Sequence, residues 1–163
     1  MNENAALFFV DRHVDSHIKE KKAFIEYGSK QKFITYADLY EQSSKLRHFF
    51  SKFKINREDR VIILMQDVIS YPIIFWGCLK SGVIPVLLNT LLSSEVVNEI
   101  INNSRAKAVF ISSRLLSSFE NSVKKNINIK YIIEVGTKKS NYINFEEEIQ
   151  KCSFKDTIKC SKD

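Results

Sequence analysis

The fold is decided by residues 63–90, which read ILMQDVISYPIIFWGCLKSGVIPVLLNT and form the most apolar part of the chain. An apolar run ends at a short polar segment, and a second apolar run then leads through a glycine to a third. Ser70 followed by Pro72 is typical of a helix start, because proline fits the first helical turn, and Ser81-Gly82 is typical of a helix end. The stretch therefore predicts a strand, a helix and a second strand in succession.

Four apolar runs of strand length follow one another at an even spacing. Measured from Val61, Ile84, Ala108 and Tyr131, the steps are 23, 24 and 23 residues, which accommodates one strand, one helix and two short loops. The runs lack the alternation of a strand with one exposed face, so both faces are expected to be covered. They predict an α/β fold with a mostly parallel sheet wound by helices through right-handed crossovers. The runs are residues 61–65, 83–88, 107–111 and 130–135.

The segments between these runs have helical patterns. Ser93 can cap the second helix, and residues 114–125 predict a third. Apolar residues at helical spacing are expected on the inner faces of these two helices. They are Val96, Val97, Ile100 and Ile101 in one helix, and Leu115, Leu116, Phe119 and Val123 in the other.

The part of the chain before the sheet predicts a helix over residues 5–18 and a β-hairpin of strands 23–27 and 32–36 around Gly28-Ser29. A longer helix then runs to Phe53. Thr35 and Asp38 fit a capping box, in which each side chain bonds the other residue's backbone N–H. Near the other end, residues 145–149 predict one more short helix.

The composition is that of a folded protein with one core. The chain has 163 residues, of which 44% are hydrophobic, and its formal net charge is +6. The lysines are spread along the chain, whereas a nucleic-acid surface gathers basic residues on one element with aromatic residues among them. A nucleic-acid binder is therefore not expected.

The cysteines and the hydropathy indicate a reduced, cytoplasmic protein that does not enter a membrane. Cys78 lies in an apolar segment and is expected to be a small buried hydrophobe, whereas Cys152 and Cys160 lie in a polar tail without metal-ligand spacing. The apolar segment 5–10 is too short for a secretory signal. The longest apolar run, 71–79, has nine residues, and a membrane-spanning helix needs about 20.

The residues after each predicted strand are the first candidates for a binding site, because ligands of open α/β sheets bind beyond the carboxyl ends of the strands. These residues are Gln66-Asp67, Asn89-Thr90, Ser112-Ser113 and the segment 136–139. They are polar, but a phosphate loop needs clustered glycines, and the four glycines of this chain are scattered. A nucleotide site held wholly within this chain is not expected.

Isolated residues elsewhere fit structural roles better than chemical ones. Segment 136–138 fits a turn better than an anion site, and His13 and His17 lack a third metal ligand nearby, so both are expected at the surface. His48 is also expected to be exposed. No serine or cysteine lies in a nucleophile elbow. Asp67 is alone where a phosphoacceptor domain would carry an acidic pair.

A series of segments between residues 4 and 136 carries a resemblance to a known family. The most specific is FWGCLKSGVIPV at residues 75–86. The others are NAALFFVDRH at 4–13, AFI at 23–25, ITYADL at 34–39, NREDRV at 56–61, LNTLL at 88–92 and NSRA at 103–106. In this order and at these spacings they resemble the N-terminal part of the adenylate-forming acyl-CoA synthetases, an AMP-binding family, and within it the benzoate- and hydroxybenzoate-CoA ligases. Lys54-Ile55 departs from the family, which often has a small residue or glycine there.

The resemblance implies a division of the chain and an absence of reactive groups. Residues 1–150 would be the N-terminal α/β subdomain of an AMP-binding ligase, an incomplete part of the adenylate-forming fold. Residues 151–163 would be a polar tail leading toward the phosphate loop, which comes later in family members together with the acyl pocket and the catalytic lysine. The resemblance therefore implies no catalytic, cofactor-binding or metal-binding residue within these 163 residues.

The function implied by the resemblance is that of a fragment. Family members activate a carboxylic acid with ATP and Mg²⁺ to an acyl-adenylate and then transfer the acyl group to coenzyme A. The chain would be the scaffold of such a ligase for an aromatic acid such as benzoate, inactive without its missing C-terminal remainder. The alternative is a free-standing α/β binding or interaction module that pairs with a separate catalytic chain. A fragment is expected to expose an apolar flank where the missing part docks.

Overall fold

A computed structural model describes residues 4–28 and 30–154 of the chain. Within these residues, helices and strands alternate after an N-terminal hairpin as far as the sixth strand, which a seventh strand and a last helix follow. The strands are β1 (Lys22–Glu26), β2 (Lys32–Thr35), β3 (Arg60–Leu64), β4 (Ile84–Leu87), β5 (Ala108–Ser112), β6 (Tyr131–Val135) and β7 (Ile143–Asn144). The α-helices are α1 (Ala5–Phe9), α2 (Tyr36–Lys52), α3 (Ser70–Ser81), α4 (Ser94–Ser104), α5 (Leu116–Lys124) and α6 (Phe145–Gln150).

The five later strands form one parallel sheet in the order β4-β3-β5-β6-β7, and β1 and β2 form a separate antiparallel hairpin. The predicted α/β class, the parallel sheet and the hairpin are confirmed. The four predicted strands agree with β3 to β6 to within one residue at each end. The two-residue strand β7 was not predicted, because it is too short to carry a hydrophobic pattern.

Two hydrophobic cores lie on the two faces of this sheet. Side chains alternate along a strand, so Val61 and Ile63 of β3 reach the first core while Ile62 and Leu64 reach the second. The first core is completed by α2, α3 and α6, and the second by α4 and α5. Most positions of the central strands are apolar because both of their faces are covered, and Ser112 of β5 and Glu134 of β6 are buried polar exceptions.

The first core is built around aromatic rings. Phe49 of α2 lies 5.9 Å from Phe110 of β5 and 5.9 Å from Phe145 of α6, measured between ring centroids. Aromatic pairs at these distances stabilise a core beyond the area they bury. Phe49, Phe110 and Phe145 therefore join two helices to the sheet at one point.

Helix α2 begins as the sequence predicts. Thr35 accepts a hydrogen bond from Asp38 N at 3.1 Å, and Asp38 Oδ2 accepts one from Thr35 N at 3.2 Å, which is the predicted capping box. The helix has 17 residues and packs along α3. Small side chains at the contact, including Ser43 and the buried Gly77 and Cys78, allow the two helices to approach closely.

Helix α3 ends at Gly82, whose φ of 68° lies in the left-handed region. An L side chain is strained in that conformation, so glycine is favoured there. The next strand, β4, is the edge of the sheet, and its Ile84 and Leu87 remain 36% and 48% exposed. The expectation that both faces of every strand are covered is therefore wrong for β4. Pro85, which cannot donate to a ladder, is typical of an edge strand.

The N-terminal helix is shorter than the sequence pattern predicts. A single helix over residues 5–18 is wrong, because α1 ends at Phe9 and a 3₁₀ turn follows. Val10 is fully buried, and Asp11 forms an ion pair with Lys80 of α3 at 2.6 Å. These tertiary contacts hold the segment against α3, and they outweigh a local helical preference, which is weak.

Other expected positions need smaller corrections. Val97 and Ile101 of α4 are buried as predicted, but Val96 is 39% exposed because it points away from the second core. Cys78 is fully buried as predicted, and Cys152 is also buried rather than in a polar tail, because it follows α6 into the first core. Cys160 and the rest of the tail from residue 155 lie outside the described residues.

Candidate functional site

The direction in which the chain adds strands to the sheet reverses between β3 and β5. The chain passes from β3 to β4 on one side and then crosses to β5 on the other, so the crevice at their carboxyl ends is where an open α/β sheet binds ligands. Gln66 N donates to Ser112 Oγ at 3.0 Å across this crevice. Ser113 donates through both N and Oγ to Val135 O, at 2.9 and 3.1 Å. Of the predicted polar residues, the structure joins Gln66 to Ser112, whereas Asn89 Oδ1 accepts a hydrogen bond from Leu91 N of its own loop at 2.9 Å.

The loop after β6 is also closed by the chain's own groups. Gly136 N donates to Glu146 Oε2 at 3.0 Å, and Ser70 Oγ donates to Glu146 Oε1 at 2.9 Å. A carboxylate therefore occupies the place in which the amide of Gly136 could hold a phosphate oxygen. The prediction that segment 136–138 is a turn agrees with this geometry.

Glu134 organises the same loop from inside the sheet. Its buried carboxylate accepts hydrogen bonds from Lys139 N at 3.0 Å and from Ser140 Oγ at 2.6 Å. Burial, the largest influence, acts to raise the pKa of Glu134, but hydrogen bonds from Ser140, Ser113 and the Lys139 amide hold the pKa below its usual value. An ionised carboxylate with these donors fixes the loop conformation.

The histidines do not form a metal site. His13 lies in the 3₁₀ turn with its ring 4.7 Å from that of Tyr36 and is half-buried, while His17 is exposed. His48 was expected to be exposed, but it is half-buried because its Nδ1 accepts a hydrogen bond from Ser153 N at 2.9 Å. Within residues 4–28 and 30–154, no three His, Cys, Asp or Glu side chains cluster closely enough to hold a metal ion.

An apolar groove of about 460 Å³ lies between the hairpin, α3 and the edge strand β4. We call it the hairpin–α3 groove. Every lining residue except Glu26 and Asp67 is apolar or aromatic. The lining residues are Phe24, Ile25, Glu26, Asp67, Val68, Ile69, Tyr71, Pro72, Phe75, Trp76 and Leu87. Phe75 and Trp76 are only partly buried because they face this groove.

The polar residues of the hairpin–α3 groove lie at its edges. Glu26 Oε2 accepts a hydrogen bond from Ile69 N at 2.9 Å, which ties the hairpin to the start of α3. Asp67 is exposed. Burial raises the pKa of the Tyr71 hydroxyl, and the negative charge of Asp67 adds to the effect. The groove is therefore an apolar surface with a negative edge, suited to contacts with apolar groups and not to phosphate.

Two features of the sequence indicate an exposed apolar surface at this place. Pro85 inside a predicted strand indicates an edge strand. Phe24 and Ile25 are adjacent apolar residues in a hairpin strand, so one of them must face away from the nearer core. Neither signal shows where the hairpin lies relative to α3, which requires the fold.

No helix of the described residues is both long and apolar enough to cross a membrane.

The buried cysteines Cys78 and Cys152 have free thiols. Burial raises the pKa of both thiols, and for Cys152 the charge of Glu148 also raises it whereas those of Lys52 and Lys45 lower it. Thiols held in the neutral form by burial are poor nucleophiles.

Comparison with known proteins agrees with this architecture. The chain matches the family described as AMP-binding enzyme over residues 10–159. It is 32% identical over 133 residues to the 4-hydroxybenzoate–CoA/benzoate–CoA ligase of Rhodopseudomonas palustris, covering 82% of this chain and 24% of that protein. It is 31% identical over 124 residues to a long-chain-fatty-acid–CoA ligase of Haemophilus influenzae, covering 76% and 21%.

Solved structures show the same fold. A benzoate CoA ligase from Burkholderia xenovorans LB400 superposes with a TM-score of 0.80 at 24% identity, covering 92% of this chain and 29% of that one. The chain thus spans about a quarter of the length of the relatives it matches. The resemblance found in the sequence is confirmed: the chain has the fold of the N-terminal part of adenylate-forming enzymes and belongs to the AMP-binding enzyme family.

Proposed function

We propose that this chain is the N-terminal scaffold of an ATP-dependent carboxylic acid–CoA ligase. In the complete enzyme, the acid would be converted with ATP to an acyl-adenylate and then to a thioester of coenzyme A. Residues 1–150 are the N-terminal α/β subdomain in this proposal, and residues 151–163 are the connection toward the rest of the enzyme. The scaffold would be inactive by itself.

The single observation that carries the proposal is the pairing of the strand-end groups with one another. Ser112, Ser113 and Glu146, which follow or approach the ends of the central strands, are hydrogen-bonded within the chain. The described residues offer neither clustered glycines for a triphosphate nor a cluster of three acidic or histidine ligands for Mg²⁺. We therefore assign no catalytic, cofactor-binding or metal-binding residue to the described part of this chain.

An aromatic acid such as benzoate is the proposed substrate of the complete enzyme. The relative from Rhodopseudomonas palustris, a ligase for benzoate and 4-hydroxybenzoate, matches at 32% identity over 82% of the chain. The relative from Haemophilus influenzae, a ligase for long-chain fatty acids, matches at 31% over 76%. The aromatic-acid relative matches at the higher identity and over more of the chain, which supports the aromatic substrate.

A second candidate function is a free-standing α/β module that pairs with a separate catalytic chain. The observation that favours it is the coverage of both faces of the central sheet by the chain's own helices. Size-exclusion chromatography separates the two candidates, because a compact monomer alone in solution favours the module. Poor solubility with non-specific aggregation through the exposed apolar surface favours the scaffold.

A cytosolic location is part of the proposal. It is supported by the free, buried thiols of Cys78 and Cys152, which suit a reducing compartment. No contact with nucleic acid or with a membrane is proposed.

The experiment that tests the function is a hybrid enzyme. Residues 1–150 of this chain replace the matching segment of the Rhodopseudomonas palustris relative, and pyrophosphate release is measured with ATP and coenzyme A, with and without benzoate. We expect release that depends on benzoate, because the acid-binding part of the hybrid comes from that relative. A hybrid that folds, as judged by its thermal unfolding, but releases no benzoate-dependent pyrophosphate contradicts the proposal.

A further inference from the structure

We propose that the hairpin–α3 groove is the surface on which the rest of the ligase docks. The docking segment inserts apolar side chains into the groove and places a basic residue against Asp67. This inference rests on the proposed function and adds to it the place and the chemistry of the contact.

The apolar character of the groove is the first observation. Phe24 of the hairpin and Leu87 of β4, which both line the groove, are 41% and 48% exposed. They adjoin Phe75 and Trp76 of α3, so the apolar surface is continuous from the hairpin to the edge of the sheet. Continuous apolar surfaces of this kind mark interaction sites, because a soluble monomer rarely exposes them.

The charge at the edge of the groove defines the partner further. The chain carries a formal net charge of +6, yet the two charged residues that line the groove are both acidic. Glu26 is held by Ile69 N and by an ion pair with Lys32 at 3.6 Å. Asp67 is therefore the carboxylate that faces a docking segment, and a lysine or arginine on that segment complements it.

The edge of β4 favours docking by side chains over addition of another strand. Ile84 N donates to Asp59 O, and Leu88 N donates to Ile63 O, so alternate residues of this strand face β3. Pro85 and Leu87 face the open edge instead. Proline has no N–H, so Leu87 supplies the one outward donor within β4, which is a poor template for pairing.

The length of the relatives and the negative charge at the edge of the groove identify the rest of the ligase as the partner that occupies the groove. The chain spans 24% of the Rhodopseudomonas palustris ligase, so most of such an enzyme lies outside these residues and is available to cover the groove. A second copy of the chain is a poor occupant, because a symmetric dimer would place each Asp67 beside its equivalent or beside Glu26. Like charges in an interface are repulsive.

The test is co-purification. The tagged 163-residue chain is co-expressed with the part of the Rhodopseudomonas palustris ligase that lies beyond the matched segment, and the amount retained is measured. Three variants are compared with the natural chain: Leu87→Glu in the groove, Asp67→Lys at its edge, and the control Ile127→Glu. Ile127 is 94% exposed and does not line the groove. Thermal unfolding of each variant verifies that it is folded.

We expect the natural chain and Ile127→Glu to retain the ligase part in equal amounts. Leu87→Glu should retain at least ten-fold less of the ligase part than the natural chain. Asp67→Lys should retain several-fold less, and its exposed position means that the substitution does not disturb folding. The inference is overturned if the natural chain retains none, if both groove variants retain as much as the control, or if the chain forms a dimer that Leu87→Glu abolishes. Retention through the groove without acid-dependent pyrophosphate release in the hybrid enzyme would refute the proposed function and leave the docking surface standing.

Discussion

Replacement of Gly77 by alanine tests how closely α2 and α3 pack. A Cβ atom at this position would lie 2.4 Å from Leu46 Cγ and 2.5 Å from Leu46 Cβ, and 3.0 Å from the carbonyl oxygen of Ser43. The first two atoms belong to the base of a fully buried side chain, and the third is backbone. Leu46 Cβ and the carbonyl oxygen of Ser43 are fixed to the backbone of α2 and cannot move without moving that helix.

Two opposing effects set the magnitude. In an exposed helix, alanine is favoured over glycine by about 0.8–1.0 kcal/mol. Overpacking a close-packed core costs typically about 1–3 kcal/mol. Contacts as short as 2.4 Å place Gly77→Ala at the upper end of that cost. We therefore expect the free energy of unfolding to fall by about 2 kcal/mol, the opposite of the helix-propensity effect.

The assay is urea unfolding of the 163-residue chain, followed by far-ultraviolet circular dichroism. The matched control is Gly28→Ala, because a Cβ there meets only the carbonyl oxygen of Lys30, at 3.9 Å. We expect the control to change the stability by about 0.5 kcal/mol or less. If Gly77→Ala is as stable as the natural chain or more stable, the close contact between α2 and α3 is refuted.

Three further predictions concern turns and charges. Gly82→Ala should lower the free energy of unfolding by about 1–2 kcal/mol, because the φ of 68° strains an L residue, and Gly82→Asn by less; equal losses in urea unfolding would refute this cause. Thr35→Ala should cost about 1 kcal/mol through loss of the helix cap, whereas Thr35→Ser should cost little in the same assay. The last prediction concerns the pKa of Asp59. Burial, the largest influence, acts to raise this pKa. Hydrogen bonds from Lys107 Nζ and Asn56 N, each at 2.7 Å, nevertheless hold the pKa below its ordinary value of 3.8. Because the folded-state pKa lies below the unfolded one, the stabilisation is present above pH 3.8 and is lost as the pH falls through the folded-state value. Asp59→Asn should therefore cost about 0.5–1 kcal/mol at pH 7 and progressively less below pH 3.8, and a loss independent of pH would contradict the ionic origin.

The central sheet could be predicted from the sequence because its physical signals are local and repeated. A strand covered on both faces is largely apolar, and the steps of 23 and 24 residues leave room for little except one helix between strands. Helix limits at Thr35 and Gly82 also depend on a few adjacent atoms. These elements agree with the structure to within a residue or two.

The N-terminal segment and the hairpin–α3 groove could not be predicted in the same way. Whether a helix continues past Phe9 depends on Val10 and on the ion pair between Asp11 and Lys80, which is distant in sequence. The groove depends on where the hairpin lies against α3. The hydrogen bond from Ile69 N to Glu26 that fixes this position joins residues 43 apart, and no pattern within one segment encodes it.

The central claim is that these residues form a scaffold whose nucleotide and acid are held by groups elsewhere in the enzyme. Benzoate-dependent exchange of pyrophosphate into ATP tests it most directly, measured for the 163-residue chain alone and for the chain co-expressed with the rest of the Rhodopseudomonas palustris ligase. We expect background exchange for the chain alone and exchange at least ten-fold above background for the pair. Exchange by the chain alone at the rate of the pair would contradict it.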